Sequence, residues 1–379
     1  MRKKRLLLPL ALILSGGTLL SMVACANMGY YARATQGHLS LITSRKPIKS
    51  LIVEPSLNPK LRANLERVLA IRDFASRELR LPENGSYRSY VEVPRPHVVW
   101  NVVATPEFDL RPVQWCFPVA GCVNYRGFFS PEEAGAFAEG LREKGHDVYM
   151  YGVNAYSTLG WFDDPVLSTF FTRAEEDLAG LIFHELSHQV AYVKNDTTFN
   201  ESFAKAVEME GVARWLAAKG EEERIQSYLE NSQRHEEFVS LVKQYQRRLQ
   251  AIYHLPVEEK AKRDEKVVAF RELREAHEQL KESSWGGYKG YDRWFAELNN
   301  AKIASINTYY THVPAFQALL RRHHGNLPAF YQQVKNMGRL PYDRRQAQLA
   351  KLHSEFVADL PPVGARLSLK ESPSGGEKL

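Results

Sequence analysis

Two histidines four residues apart, with a glutamate beside the first, stand in the run His184-Glu185-Leu186-Ser187-His188, an HExxH pattern. Residues four apart on a helix lie one above the other on the same face, so His184 and His188 can bind one cation through their ring nitrogens. Glu185 then sits beside that cation. It is too poorly aimed to be a third ligand, but well placed to take a proton from an attacking water and pass it to a leaving amine. The chemistry this set supports is metal-assisted peptide hydrolysis. Residues 178–183 and 189–193 on either side carry no charge, as expected of a helix buried in the middle of a domain with one polar face turned to a cleft.

A catalytic zinc usually keeps three protein ligands and one open position, so a further ligand is expected from elsewhere in the chain. Residues 194–198 form a polar turn, and residues 199–208 read as the start of a second helix on which Glu201 and Glu208, seven apart, share a face. Folded back across the first helix, it brings a carboxylate to the imidazole pair. A His-His-Glu set suits one zinc ion, with cobalt and manganese left open by ligand type alone. A donor for the tetrahedral oxyanion is also needed. Tyr309, Tyr310 and His312 are candidates, with packed core aromatics as the alternative for the tyrosines; Tyr156 and Trp161 either line the cleft or belong to the core.

The elements that must position these groups are legible in outline. Residues 51–80 read as a helix with Leu61, Leu65, Val68, Leu69 and Ile71 on a core face. Residues 98–103 and 113–129 read as strands and a hairpin. Ser130-Pro131-Glu132-Glu133 is a helix start, and residues 147–156 read as another strand. Beyond Ala218, residues 221–249 and 258–280 carry dense mixed charge with apolar residues at helical spacing, separated by Pro256. They predict an antiparallel helical pair with solvated outer faces, or a surface for a protein partner. The loop Ser283-Ser284-Trp285-Gly286-Gly287-Tyr288 is placed to border the cleft.

Two resemblances follow from these residues. Asn200-Glu201-Ser202-Phe203-Ala204 with Glu208 resembles the NEGFA segment and following Glu of gluzincin aminopeptidases, which implies Glu201 as the third zinc ligand and Glu208 as a supporting carboxylate. The interval from His188 to Glu201 is shorter than that family's, so the connection between the helices must be tighter, and its GAMEN motif is absent. More of the chain resembles the zinc aminopeptidase family of proteobacterial lipoproteins. The matching segments are Gly29-Tyr30-Tyr31-Ala32-Arg33-Ala34 through Arg45-Lys46-Pro47-Ile48, residues 155–167, the HExxH helix, and Tyr309-Tyr310 leading to Val313-Pro314-Ala315-Phe316.

The N-terminus addresses location. Arg2-Lys3-Lys4-Arg5, an apolar run over residues 6–20 and Met22-Val23-Ala24-Cys25 read as a signal peptide over residues 1–24, resembling a bacterial lipobox that would lipidate Cys25. With Ala26 following, that resemblance implies a lipid anchor at the periplasmic face of the outer membrane. The formal net charge of +6 includes four basic residues of that leader; without them 46 basic residues face 44 acidic ones, which gives no argument for nucleic-acid binding. Cys116 and Cys122 bracket a Pro- and Gly-containing turn, and an oxidising compartment favours a disulfide between them over two buried thiols.

The fold expected is α+β and predominantly helical: a zincin-like peptidase domain over residues 25–360 with a small mixed sheet, a helical insertion at about 219–282 and a helical C-terminal part. Residues 361–379 read as a disordered tail. The activity expected is zinc-dependent peptide hydrolysis, most simply by an aminopeptidase; the other readings are an envelope endopeptidase and a catalytically idle metal-binding scaffold. Glu208, Asp163 and Asp164 are the acidic groups offered to a substrate α-amine.

Overall fold

The computed structural model describes residues 29–30, 33, 35–37, 39–117, 121–154, 163–306 and 311–358. In chain order the elements are β1 (Lys46–Pro47), α1 (Ile48–Leu51), α2 (Pro59–Arg77), β2 (Ser89–Val91), β3 (Val99–Thr105), β4 (Trp115–Phe117), β5 (Gly121–Val123), β6 (Arg126–Phe128), α3 (Pro131–Arg142), β7 (Asp147–Val153) and β8 (Val166–Leu167). A 3-10 turn (Ser168–Thr172) leads into α4 (Glu175–His188), α5 (Thr197–Ala218), α6 (Glu223–Tyr253), α7 (Glu259–Ser283), α8 (Asp292–Ala296), α9 (Asn300–Ala304), α10 (Val313–Arg322), α11 (Leu327–Gly338) and α12 (Tyr342–Ala358). The class is α+β and predominantly helical. Among the described residues, no helix is long and apolar enough to cross a membrane.

Several local expectations hold for the reasons given. Ser130 caps α3, accepting the Glu133 N–H at 3.2 Å, with Pro131 in the first turn. Cys116 and Cys122 face each other across the β4–β5 hairpin and are joined by a disulfide. Others shift. The helix read over residues 51–80 begins only at Pro59, because the Asn58 side chain accepts from the N–H groups of Lys60 and Leu61 and residues 52–58 turn ahead of it; Leu65, Val68 and Ile71 are buried as expected. The uncharged residues 189–193 are not in α4, which ends at His188 with Gln189 as its C-cap.

In place of one mixed sheet, the strands form three small ones. β1-β2-β8 is mixed, β6-β3-β7 is antiparallel, and β4-β5 is the disulfide-closed hairpin. Three apolar clusters correspond to three layers. The largest gathers α2, α4, α5, α10, α11 and α12; a small one lies between the β6-β3-β7 sheet and α3; the third fills the α6–α7 pair. The helical extension does not stop near residue 282. Trp285, Phe295 and Ile303 belong to its core, while Tyr228 at the start of α6 still belongs to the main one. The loop at 283–288 closes this extension, with Trp285 buried and donating to Glu237 at 2.7 Å. The leader, Cys25, Tyr156, Trp161, Tyr309, Tyr310 and the tail at 361–379 lie outside the described residues.

Candidate metal centre

α4 and α5 lie against each other in the main core, and Phe183, Leu186, Phe199 and Phe203 from the two helices are fully buried there. The apolar faces fix the pair, and the polar faces meet where the pattern demands. His184 Nε2 lies 3.0 Å from Glu201 Oε2, and His188 Nε2 lies 3.6 Å from Glu201 Oε1. One ligand atom from each of these three residues can be chosen so that all lie within 4.8 Å of one another. Both imidazoles thus turn Nε2 toward one carboxylate.

Glu208, about two turns beyond Glu201, comes to the other nitrogen. Its Oε2 lies 3.1 Å from His184 Nδ1, while its Oε1 accepts from Lys205 Nζ at 2.6 Å and from the Tyr228 hydroxyl at 2.9 Å. The approach is close: a Cβ at Gly180 would meet Glu208 Cγ at 3.1 Å, so any larger residue there would have to displace the glutamate arm by a few tenths of an ångström. With a carboxylate at hydrogen-bond distance from each ring nitrogen, His184 donates from both when protonated; a cation in place of the Nε2 proton would leave Nδ1 donating to Glu208.

The electrostatics favour positive charge at the centre. Burial works against an imidazolium at His184, but the hydrogen bonds to Glu201 and Glu208 outweigh it and raise its pKa to about 10. Burial and the neighbouring His184 charge lower that of His188 to about 4, against the pull of Glu201, so His188 is neutral with a lone pair to give. Burial would raise Glu208, yet Lys205 and His184 hold it down at about 2; Glu201 is likewise lowered by the two histidines despite its burial. His188 adds a structural anomaly. Among the described residues its Nδ1 is buried without a hydrogen-bond partner, and its Nε2 is beyond hydrogen-bond length from Glu201. A divalent cation between His184, His188 and Glu201 would satisfy both Nε2 atoms and the carboxylate together, and the donor set fits zinc.

A family model described as "Putative aminopeptidase" matches residues 29–349. The chain belongs to that family. No match was found among curated proteins, and none among solved structures. The span of the family match takes in α4 and α5, the β6-β3-β7 sheet and the α6–α7 extension, so all three apolar clusters fall within it.

The remaining sequence candidates separate. Glu185 is half-buried beside the ligands, near enough to act on the charge of His184. His312 donates its backbone N–H to the buried Ser202 hydroxyl at 3.1 Å. Its imidazole lies within reach of Asp196 and His353. Of the acids offered to a substrate amine, Glu208 is occupied on both oxygens and Asp164 is buried. Asp163 packs its carboxylate against Gly85.

Sequence reasoning missed Lys205, Asn200 and Tyr228. The first two lie inside the segment that supplied Glu201 and follow from its helical register. Tyr228 comes from the next helix, and no local pattern points to it.

Proposed function

We propose that this member of the aminopeptidase family is a zinc-dependent peptidase that hydrolyses peptides from their amino end. The observation that carries the reading is the convergence of His184 Nε2, His188 Nε2 and the Glu201 carboxylate on one point, with Glu185 beside it. Bound there, zinc would polarise the scissile carbonyl and the attacking water. His184, His188 and Glu201 hold the ion, and Glu208 keeps the Nδ1 proton of His184. Glu185 takes the water's proton and carries it to the departing amine. The family match supports the peptidase reading; Tyr309 and Tyr310 are the proposed oxyanion donors.

The test separates metal from chemistry. Wild type should bind one zinc per chain and cleave amino-acid anilides. Glu185→Gln should keep the zinc while hydrolysis falls by a factor on the order of 100 to 10,000. Alanine at His184, His188 or Glu201 should abolish stoichiometric zinc. A wild type that holds no zinc, or a Glu185→Gln variant that hydrolyses at the wild-type rate, overturns the assignment. Cleavage of internal peptide bonds alone would make the enzyme an endopeptidase, and zinc without any hydrolysis would make it a scaffold.

For location we propose a lipid anchor at Cys25 on the periplasmic side of the outer membrane, supported by the basic, apolar and Ala24-Cys25 pattern of residues 1–25. Intact mass of the membrane fraction decides it: a chain starting at Cys25 with added acyl mass is expected, and an unmodified chain cleaved elsewhere would be an ordinary secreted protein.

A further inference from the structure

The connection between the metal helices is short, and one side chain closes it. α4 ends at His188 and α5 begins at Thr197. Within the connection, Asn195 takes φ 64°, a left-handed conformation that asparagine tolerates. Asp196 caps α5 by accepting the Phe199 N–H at 3.1 Å. Asn200, 1 % exposed, then reaches back from α5 to the backbone of Val193. Its Oδ1 accepts the Val193 N–H at 2.7 Å and its Nδ2 donates to the Val193 carbonyl at 2.8 Å. That carbonyl also accepts from Asp196 N at 3.2 Å. A primary amide is the side chain that offers a peptide group both a donor and an acceptor side by side.

We infer that Asn200 is a positioning residue for the metal centre, setting the rotation of α5 about its axis and with it the place of the Glu201 carboxylate. The inference rests on the zinc reading above. Asn200 is the neighbour of Glu201, so any turn of α5 that frees the amide moves the ligand. A side chain at the helix surface lies about 6 Å from the axis, so a rotation of about 10° displaces the carboxylate by about 1 Å, beyond the tolerance of about 0.5 Å that such sites allow. Among the described residues the His188 Nδ1 has no hydrogen-bond partner to hold the ring while Glu201 moves, which makes the site more sensitive to the clip at Val193.

The experiment is zinc titration of the full mature chain against a competing chelator, together with the visible spectrum of the cobalt-substituted protein. Asn200→Ala should weaken zinc about 10- to 100-fold and alter the cobalt bands. Asn200→Asp, nearly the same size, should behave like alanine, because a carboxylate facing the Val193 carbonyl loses the donor. Val242→Ala, in the separate core of the α6–α7 pair, is the control: it should lower the melting temperature and leave both zinc affinity and cobalt bands unchanged.

Wild-type affinity and spectrum in Asn200→Asp or Asn200→Ala would overturn the inference. If neither variant folds, amide exchange in wild type decides it. The Val193 N–H, outside both helices, should exchange as slowly as the helix interior, and rapid exchange would mean the clip is absent. A wild type without zinc refutes the proposed function instead, which is a different outcome.

Discussion

The α4–α5 pair and the α6–α7 pair are both antiparallel helix pairs with buried aromatic cores, yet they place their polar groups in opposite ways. In α4–α5 the polar side chains are inside: His188, Asp196, Asn200 and Ser202 are buried, and Asp196 forms a buried ion pair with Arg345 of α12 at 2.8 Å. In α6–α7 the core is apolar and aromatic, with Tyr291 stacked on Phe238 at 4.3 Å, and ionic contacts such as Arg271–Glu275 stay at the surface. Polar groups enter that core at His277, buried and stacked on Phe295 at 4.0 Å, and at its junction with the sheet. There Lys266 meets Asp147 at 2.8 Å, and Asn300 donates to the carbonyls of Pro106 and Glu107. Buried polar groups cost stability unless satisfied, and in return they hold side chains in one geometry. The difference teaches where the molecule spends that cost: on the pair that brings His184, His188 and Glu201 together, while the extension is held mainly by burial.

Two large effects break the symmetry between the pairs. Phe238→Ala should cost about 3 to 5 kcal/mol of stability by leaving a cavity, and Arg345→Ala a similar amount, about 3 to 5 kcal/mol, by leaving Asp196 buried and uncompensated. The two should differ in zinc affinity measured on the folded fraction. Arg345→Ala should weaken it, since Asp196 caps the ligand-bearing helix, and Phe238→Ala should leave it unchanged. Equal zinc losses would mean that the pairs do not have separate duties.

A smaller effect tests one of the threads between them, another being the Arg224–Glu176 ion pair from α6 to α4. Tyr228 rises from α6 to donate to Glu208, so Tyr228→Phe removes a hydrogen bond to a charged acceptor, worth about 1.5 to 3 kcal/mol. Zinc affinity should fall about tenfold, within the range known for partners of metal ligands, with little change in the substrate KM. No change in affinity would detach the extension from the metal centre altogether.

The smallest effect lies at the surface joint. Arg263 pairs with Glu107 at 2.6 Å with both side chains exposed. Arg263→Ala should shift stability by no more than about 1 kcal/mol, and by less in high salt. A larger loss in thermal unfolding would show that the extension is fastened by charge and not by its apolar core.

Much of this was legible in the chain. The spacing of His184 and His188, the carboxylate between them and the seven-residue interval from Glu201 to Glu208 are properties of helical periodicity, which a sequence carries locally. The cap at Ser130, the hairpin closed by Cys116 and Cys122, and the two charge-dense helices are legible on the same ground. The sequence also placed Glu201 and Glu208 on one face, but periodicity could not say which histidine nitrogen each would meet. That depended on how α5 crosses α4, and the crossing is decided by contacts between residues far apart: the apolar faces around Phe183 and Phe203, the Arg345 side chain from α12, and Tyr228 from α6. The start of α2 and the end of α4 were displaced for a related reason, since a cap is a matter of one side chain and one turn, which an apolar run does not mark. What the sequence determined was the set of groups and their helical register. The tertiary structure alone decided the distances between them, because the packing of the helices determines which ring nitrogen each carboxylate meets.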